Sequence, residues 1–164
     1  MLSFAKLAEA RAHAKAGNGP AAARALSRAE DLLAAVRDDG RHPQWLDYYT
    51  RARLASDATE SHLDLVNPRS ALAWSAEADA MPSGRYTRAT GIRLAVTASA
   101  HLQHRDLDQG LAVGRRPLGI LGSVESSRAR DYLRQFARGL EPWEKDPRVR
   151  AFLREGRPAL HRAA

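Results

Sequence analysis

Ala129-Arg130-Asp131-Tyr132-Leu133-Arg134-Gln135-Phe136-Ala137-Arg138-Gly139-Leu140 is the stretch that decides the fold class. Its apolar residues Ala129, Leu133, Phe136 and Leu140 recur at i, i+4, i+7 and i+11, which is one stripe along an α-helix. A second stripe of the same kind runs through Trp45, Tyr49, Ala52, Ser56, Thr59 and Leu63. No stretch alternates apolar and polar residues long enough to make a strand. The chain is therefore expected to be all-α.

Working outward from these stripes, the helix breakers fall at regular intervals. Gly19-Pro20, Asn67-Pro68 and Asp146-Pro147 each place a capping residue before a proline suited to a first helical turn. His42-Pro43 has the same shape with a weaker cap. Asp38-Asp39-Gly40 and Met81-Pro82-Ser83-Gly84 read as loops that end helices, and Ser123 or Ser126 can cap the segment after Gly122. Eight segments of helical length lie between these marks: 2–17, 20–37, 44–65, 68–80, 86–103, 107–121, 125–139 and 147–160.

The segments pair as 2–37, 44–80, 86–121 and 125–160, close to the period at which helix pairs stack into a solenoid. Three turns inside the pairs match: Gly17-Asn18-Gly19-Pro20, Leu65-Val66-Asn67-Pro68 and His104-Arg105-Asp106-Leu107. Each is followed by a small residue (Ala22, Ala71, Gly110) and, seven residues later, by Ala29, Ala78 or Pro117. Small residues there let the second helix of a pair sit close against the first. One helical-repeat domain over residues 1–164 is the expected organisation.

At 164 residues the chain can bury a core without disulfides, and it has no cysteine to form one. That absence removes thiolate metal sites and cysteine nucleophiles together. Apolar residues make up 44% and aromatics 6%, so the core must be built mainly from Ala, Leu and Val. No stretch approaches the roughly 18 apolar residues of a membrane span. Lys6, Glu9, Arg11 and Lys15 are spread through the N-terminal segment rather than clustered as in a secretory signal. A soluble cytoplasmic protein is expected.

The net charge of +7 is unevenly placed. Residues 1–114 hold 14 basic against 13 acidic side chains, whereas residues 115–164 hold 12 against 6. A basic terminal third can serve nucleic acid, an acidic partner or solubility alone. Arg outnumbers Lys 23 to 3, a bias more typical of a GC-rich genome than of a phosphate grip, so nucleic acid ranks low among expected partners.

Further segments carry a family resemblance. Trp45-Leu46-Asp47-Tyr48-Tyr49, Met81-Pro82-Ser83-Gly84-Arg85-Tyr86, Val124-Glu125-Ser126-Ser127-Arg128-Ala129-Arg130-Asp131-Tyr132-Leu133 and Leu140-Glu141-Pro142-Trp143 with Asp146-Pro147-Arg148-Val149-Arg150 stand in that order. In order and spacing they resemble the tetratricopeptide-like C-terminal region of helix-turn-helix transcriptional regulators of Streptomyces and other actinobacteria. The resemblance implies a tetratricopeptide-like solenoid whose first helices line a ligand groove. Two departures stand out. The chain begins a few residues before the array, which leaves no expected place for the DNA-binding unit. The sixth helix carries Gly110, Gly114 and Pro117, and interior Gly and Pro cost about 1 and 3 kcal/mol against Ala, so a kink or early stop near Pro117 is expected.

If the first helices line a groove, Tyr48, Tyr49, Arg53, Asp57, Glu60 and His62 from the second pair would meet a ligand, with Arg93 and His101 from the third. Arg53, Asp57 and Glu60 share one helix face. On this reading Arg53 and Arg93 are contacts whose replacement by Ala weakens binding and leaves stability alone. His62 and His101 sit at comparable places in successive pairs, but two histidines without a third ligand make no metal site. No cofactor or metal is expected. His104-Arg105-Asp106 spells part of a kinase catalytic loop without its downstream Asn or its glycine-rich loop. No GxSxG, P-loop, HExxH or dinucleotide fingerprint occurs. The leading expectation is a regulatory or accessory module binding a protein or peptide. A small-molecule ligand comes second; the alternatives are a recruited enzyme or accessory protein of an actinobacterial biosynthetic pathway and, after it, a basic nucleic-acid-associated protein using the terminal third. A homodimer is compatible with a solenoid that leaves an apolar end open.

Overall fold

The computed structural model describes residues 2–35, 51–78, 87–124 and 126–161. These form eight α-helices and one 3-10 turn, with no strand among the described residues. The helices are α1 (Leu2–Lys15), α2 (Gly19–Ala34), α3 (Arg51–Asp64), α4 (Pro68–Ala78), α5 (Thr87–Gln103), α6 (Leu107–Leu121), α7 (Ser127–Gly139) and α8 (Pro147–His161), the turn being Glu141–Trp143. The expected helix-opening segment Trp45 to Tyr49 lies outside the described residues. No described helix is long and apolar enough to cross a membrane.

The chain divides into two compact units, Met1–Met81 and Pro82–Ala164. In the first unit α1 packs on α2 and α3 on α4, and α1 also lies against α3. In the second, α5 packs on α6, α5 also lies against α7, and α8 packs on both α6 and α7. Each unit therefore sets the leading helix of one hairpin beside the leading helix of the next.

The α1–α2, α3–α4 and α5–α6 hairpins are closed by one turn repeated three times. Gly17, Val66 and Arg105 take left-handed backbone conformations at φ 72°, 55° and 64°. Their N–H groups donate to the carbonyls of Ala14, Leu63 and Leu102, all at 3.0 Å. The next residues, Asn18, Asn67 and Asp106, donate to the carbonyls of His13, His62 and His101, all at 2.9 Å. This pairing satisfies the last carbonyls of the leading helix, as in a Schellman motif. The same Asn, Asn and Asp then cap the following helix, their side-chain oxygens accepting from the N–H of Ala21 (3.2 Å), Ser70 (3.3 Å) and Gln109 (3.0 Å). One residue thus ends one helix and starts another, which fixes a hairpin with almost no loop.

Short turns bring the two helices close, and the packing residues follow. Ala22, Ala29, Ala71 and Ala78 have no exposed surface, and Pro117 is buried as deeply as the core leucines. At Gly110 a Cβ would stand 2.5 Å from Leu102, and at Gly114 2.5 Å from the Phe136 ring. Two of the three glycines of α6, Gly110 and Gly114, are therefore where α5 and α7 pack closest against it. The early stop expected near Pro117 does not occur: α6 continues through Pro117 to Leu121. Burying the proline ring offsets the hydrogen bond that it cannot donate.

In the first unit the core gathers Leu7, Ala10, Ala25, Leu26, Ala29, Leu54 and Ala58, with Leu33 and Trp74 packed on it. In the second it gathers Ala98, Leu102, Leu107, Leu111, Phe136, Leu140, Val149 and Phe152. There Phe136 and Phe152 meet edge to face at 5.6 Å. The deciding stripe is buried to its last member, with Ala129, Leu133, Phe136 and Leu140 at most 1% exposed. Ser126 caps α7 by accepting from Ala129 N–H at 3.3 Å, while Ser123 donates back to the Ile120 carbonyl.

Candidate functional site

Helix α3 buries polar side chains that a surface helix would expose. Asp57, Thr59, Glu60 and Ser61 are all at most 7% exposed. The two hydroxyls are satisfied on their own helix, Thr59 donating to the Ala55 carbonyl (2.8 Å) and Ser61 to the Asp57 carbonyl (3.0 Å). Carboxylates cannot be satisfied that way, because they only accept. A buried ion without a counter-ion is costly, so partners of opposite charge must reach them.

Two arginines do so. Arg53, one turn before Asp57, donates from Nε and from a terminal nitrogen to the two oxygens of Asp57 at 2.9 and 3.2 Å. Arg11 reaches across from α1, bonding Glu60 and standing 3.5 Å from Asp57. Two guanidiniums and two carboxylates thus form a neutral network joining α1 to α3. Burial raises the Asp57 carboxyl above the ordinary range, while Arg53 and Arg11 pull it back down. Asp64 at the end of α3 is also raised by burial, Lys15 opposing the shift, and its Oδ2 has no hydrogen-bond partner. Burial lowers the His62 imidazole, whose Nδ1 likewise has no hydrogen-bond partner.

Both network carboxylates are held by guanidinium groups, which suits them poorly to abstract a proton from a substrate. The accessible part of the site is the arginine edges, the side chains of Arg11 and Arg53 being 21% and 20% exposed. Arg11 also belongs to an α1 stripe of Phe4, Ala8, Arg11 and Lys15 at helical spacing. Phe4 is 55% exposed, and Ala8 and Lys15 are exposed beside it. The face offers an apolar ring, a small residue and cations whose positions are fixed from beneath.

The structure brings Arg53, Asp57 and Glu60 together, with His62 at the end of the same helix. Tyr48 and Tyr49 lie outside the described residues. Arg93 and His101 are on α5 in the second unit, where Arg93 is 6% exposed and His101 Nδ1 is 3.7 Å from Asp106 Oδ2. Burial lowers the His101 pKa, and Asp106 opposes that shift. His62 and His101 do occupy equivalent places, each lending its carbonyl to a hairpin turn. Among the described residues no three His, Asp or Glu side chains are grouped as a metal requires.

Arg11 escaped sequence reasoning because its acidic partner Glu60 is 49 residues away and nothing local marks the pairing. The expectation that Arg53→Ala and Arg93→Ala spare stability also changes. Arg53 neutralises a buried carboxylate, so its truncation costs about 3 kcal/mol by the usual penalty for breaking a buried pair. Arg93 is itself buried, so its loss removes core packing. No protein-family model, curated protein or solved structure matches this chain.

Proposed function

We propose that this protein is a tetratricopeptide-like helical-repeat module, of cytoplasmic and regulatory or accessory role, that docks a protein or peptide on the face shared by α1 and α3. The observation that carries this reading is the hairpin turn repeated at Gly17-Asn18, Val66-Asn67 and Arg105-Asp106, with leading helix set beside leading helix in each unit. Stacked helix pairs of this kind present rigid surfaces to partners. The ionic network supplies the preorganisation. Asp57 and Glu60 hold the heads of Arg53 and Arg11, so those side chains lose little further entropy when a ligand arrives. A partner would place an apolar side chain on Phe4 and acceptor groups on Arg11, Arg53 and Lys15.

The test is isolation of the full chain from its native host under gentle conditions, followed by native and denaturing mass spectrometry. The same is done with Ala8→Trp, which fills the exposed face beside Arg11 and leaves every residue of the ionic network in place. The reading expects a stoichiometric protein or peptide with the natural chain, lost in Ala8→Trp at an unchanged melting temperature. A partner retained by Ala8→Trp, or a bound small molecule in its place, contradicts it. A small molecule would turn attention to the recruited-enzyme alternative.

A further inference from the structure

One flank of α8 is neutralised by acidic side chains. At its start Asp146 accepts from Arg148, which holds the Asp146 carboxyl down to about 2, and Arg148 also bonds Asp108 of α6. Further along, Glu155 faces Arg115 of α6 at 3.7 Å. The other flank is different. Arg150, Arg154 and Arg157 recur at i, i+4 and i+7 and are all exposed. They are rotated roughly 100–160° about the helix axis from Glu155. Among the described residues no carboxylate pairs with any of the three. Like charges at this spacing destabilise a helix slightly, so the arrangement works against α8 in isolation.

We infer that this arginine ridge is a docking surface for the phosphodiester backbone of duplex nucleic acid, separate from the α1–α3 face. The three guanidiniums span about 10 Å of helix axis. A duplex presents about six phosphates over that length, at one charge per 1.7 Å. Guanidinium groups bind phosphate through two parallel hydrogen bonds, which ammonium groups cannot do. The surroundings select the partner. The large exposed hydrophobics among the described residues, Leu2, Phe4 and Val66, all belong to the first unit. Beside the ridge the exposed uncharged residues are Pro147, Ala151 and Pro158. A membrane or an amphipathic peptide needs apolar anchors that this flank lacks. Backbone binding to nucleic acid needs none, because it is almost wholly electrostatic. The low rank that composition gave nucleic acid rested on total Arg content, which does not show where the unpaired arginines gather.

The experiment measures binding of the full chain to a labelled random-sequence duplex of about 20 base pairs across a salt series starting near 20 mM. Ridge binding predicts an association constant that falls steeply with salt. The Arg150→Ala, Arg154→Ala, Arg157→Ala triple variant should reduce the log–log slope by about 2.5–3, near 0.9 for each phosphate no longer neutralised. Its melting temperature should stay close to that of the natural chain, since all three residues are exposed. The matching triple Lys variant should keep most of the slope. Absence of duplex binding at the lowest salt, or an Ala variant with an unchanged slope, overturns the inference. Displacement of the duplex by polyglutamate at equal charge concentration would also overturn it and assign the ridge to an acidic protein.

Discussion

Val66 holds a left-handed backbone conformation at φ 55° while carrying a β-branched side chain that is 72% exposed. At the equivalent place the first hairpin has Gly17, which adopts that conformation without a Cβ clash. Left-handed geometry costs an L-residue about 1–2 kcal/mol, partly offset by the extra freedom of glycine in the unfolded chain. Val66→Gly should therefore raise stability by about 0.5–1 kcal/mol, read from denaturant midpoints at constant m. Unchanged or lower stability would mean that the turn tolerates valine for a packing reason. At the same scale, His62 and His101 are lowered by burial, so the unfolded chain takes up protons that the folded one resists. Their contribution is present above the ordinary histidine value of about 6.5 and is lost as pH falls below it. Asp57 and Asp64 act in the opposite direction. Their raised values make the folded state hold protons longer, so their contribution falls as pH rises through the interval above the ordinary Asp range. His62→Gln should shrink the loss of stability between about pH 7.5 and 5.5 relative to the natural chain.

At the scale of elements, periodicity and capping chemistry made most helices legible. The stripe Ala129–Leu140 and the caps at Asn67 and Asp146 mark their helices in the sequence and do so in the structure. The cap of α2 was misplaced by one residue, since Asn18 rather than Gly19 accepts from the helix. Its side chain can do so, and glycine has none. Propensity misread α6, because Gly110 and Gly114 look like helix breakers until Leu102 and Phe136 are seen pressed against them. Sequence position alone does not reveal which neighbour arrives at a helix face. Gly114→Ala therefore tests the tertiary account against the local one. Propensity alone predicts a gain of about 1 kcal/mol, whereas the clash with Phe136 predicts a loss of about 1–3 kcal/mol. Thermal unfolding of the single variant decides the sign.

Over the whole molecule, the all-helical class was readable because it follows from repeated local signals. The site was readable only in part. Arg53, Asp57 and Glu60 share one face of one helix, so their spacing announced them, but their meaning depends on Arg11, delivered by α1 from a distant point in the chain. The charge imbalance of the terminal third was plain from counting. Its concentration into an unpaired flank of α8 required the ion pairs that neutralise the other flank. Two surfaces of different chemistry result, one on α1 and α3 and one on α8. The measurement that tests the principal proposal most directly is amide hydrogen exchange of the full chain, alone and with the partner that co-purifies with it. Docking on the first face predicts slowed exchange on binding along Phe4–Lys15 and Arg53–Asp64, with α8 unchanged. Slowing confined to α8, or no change along α1 and α3, would contradict the account.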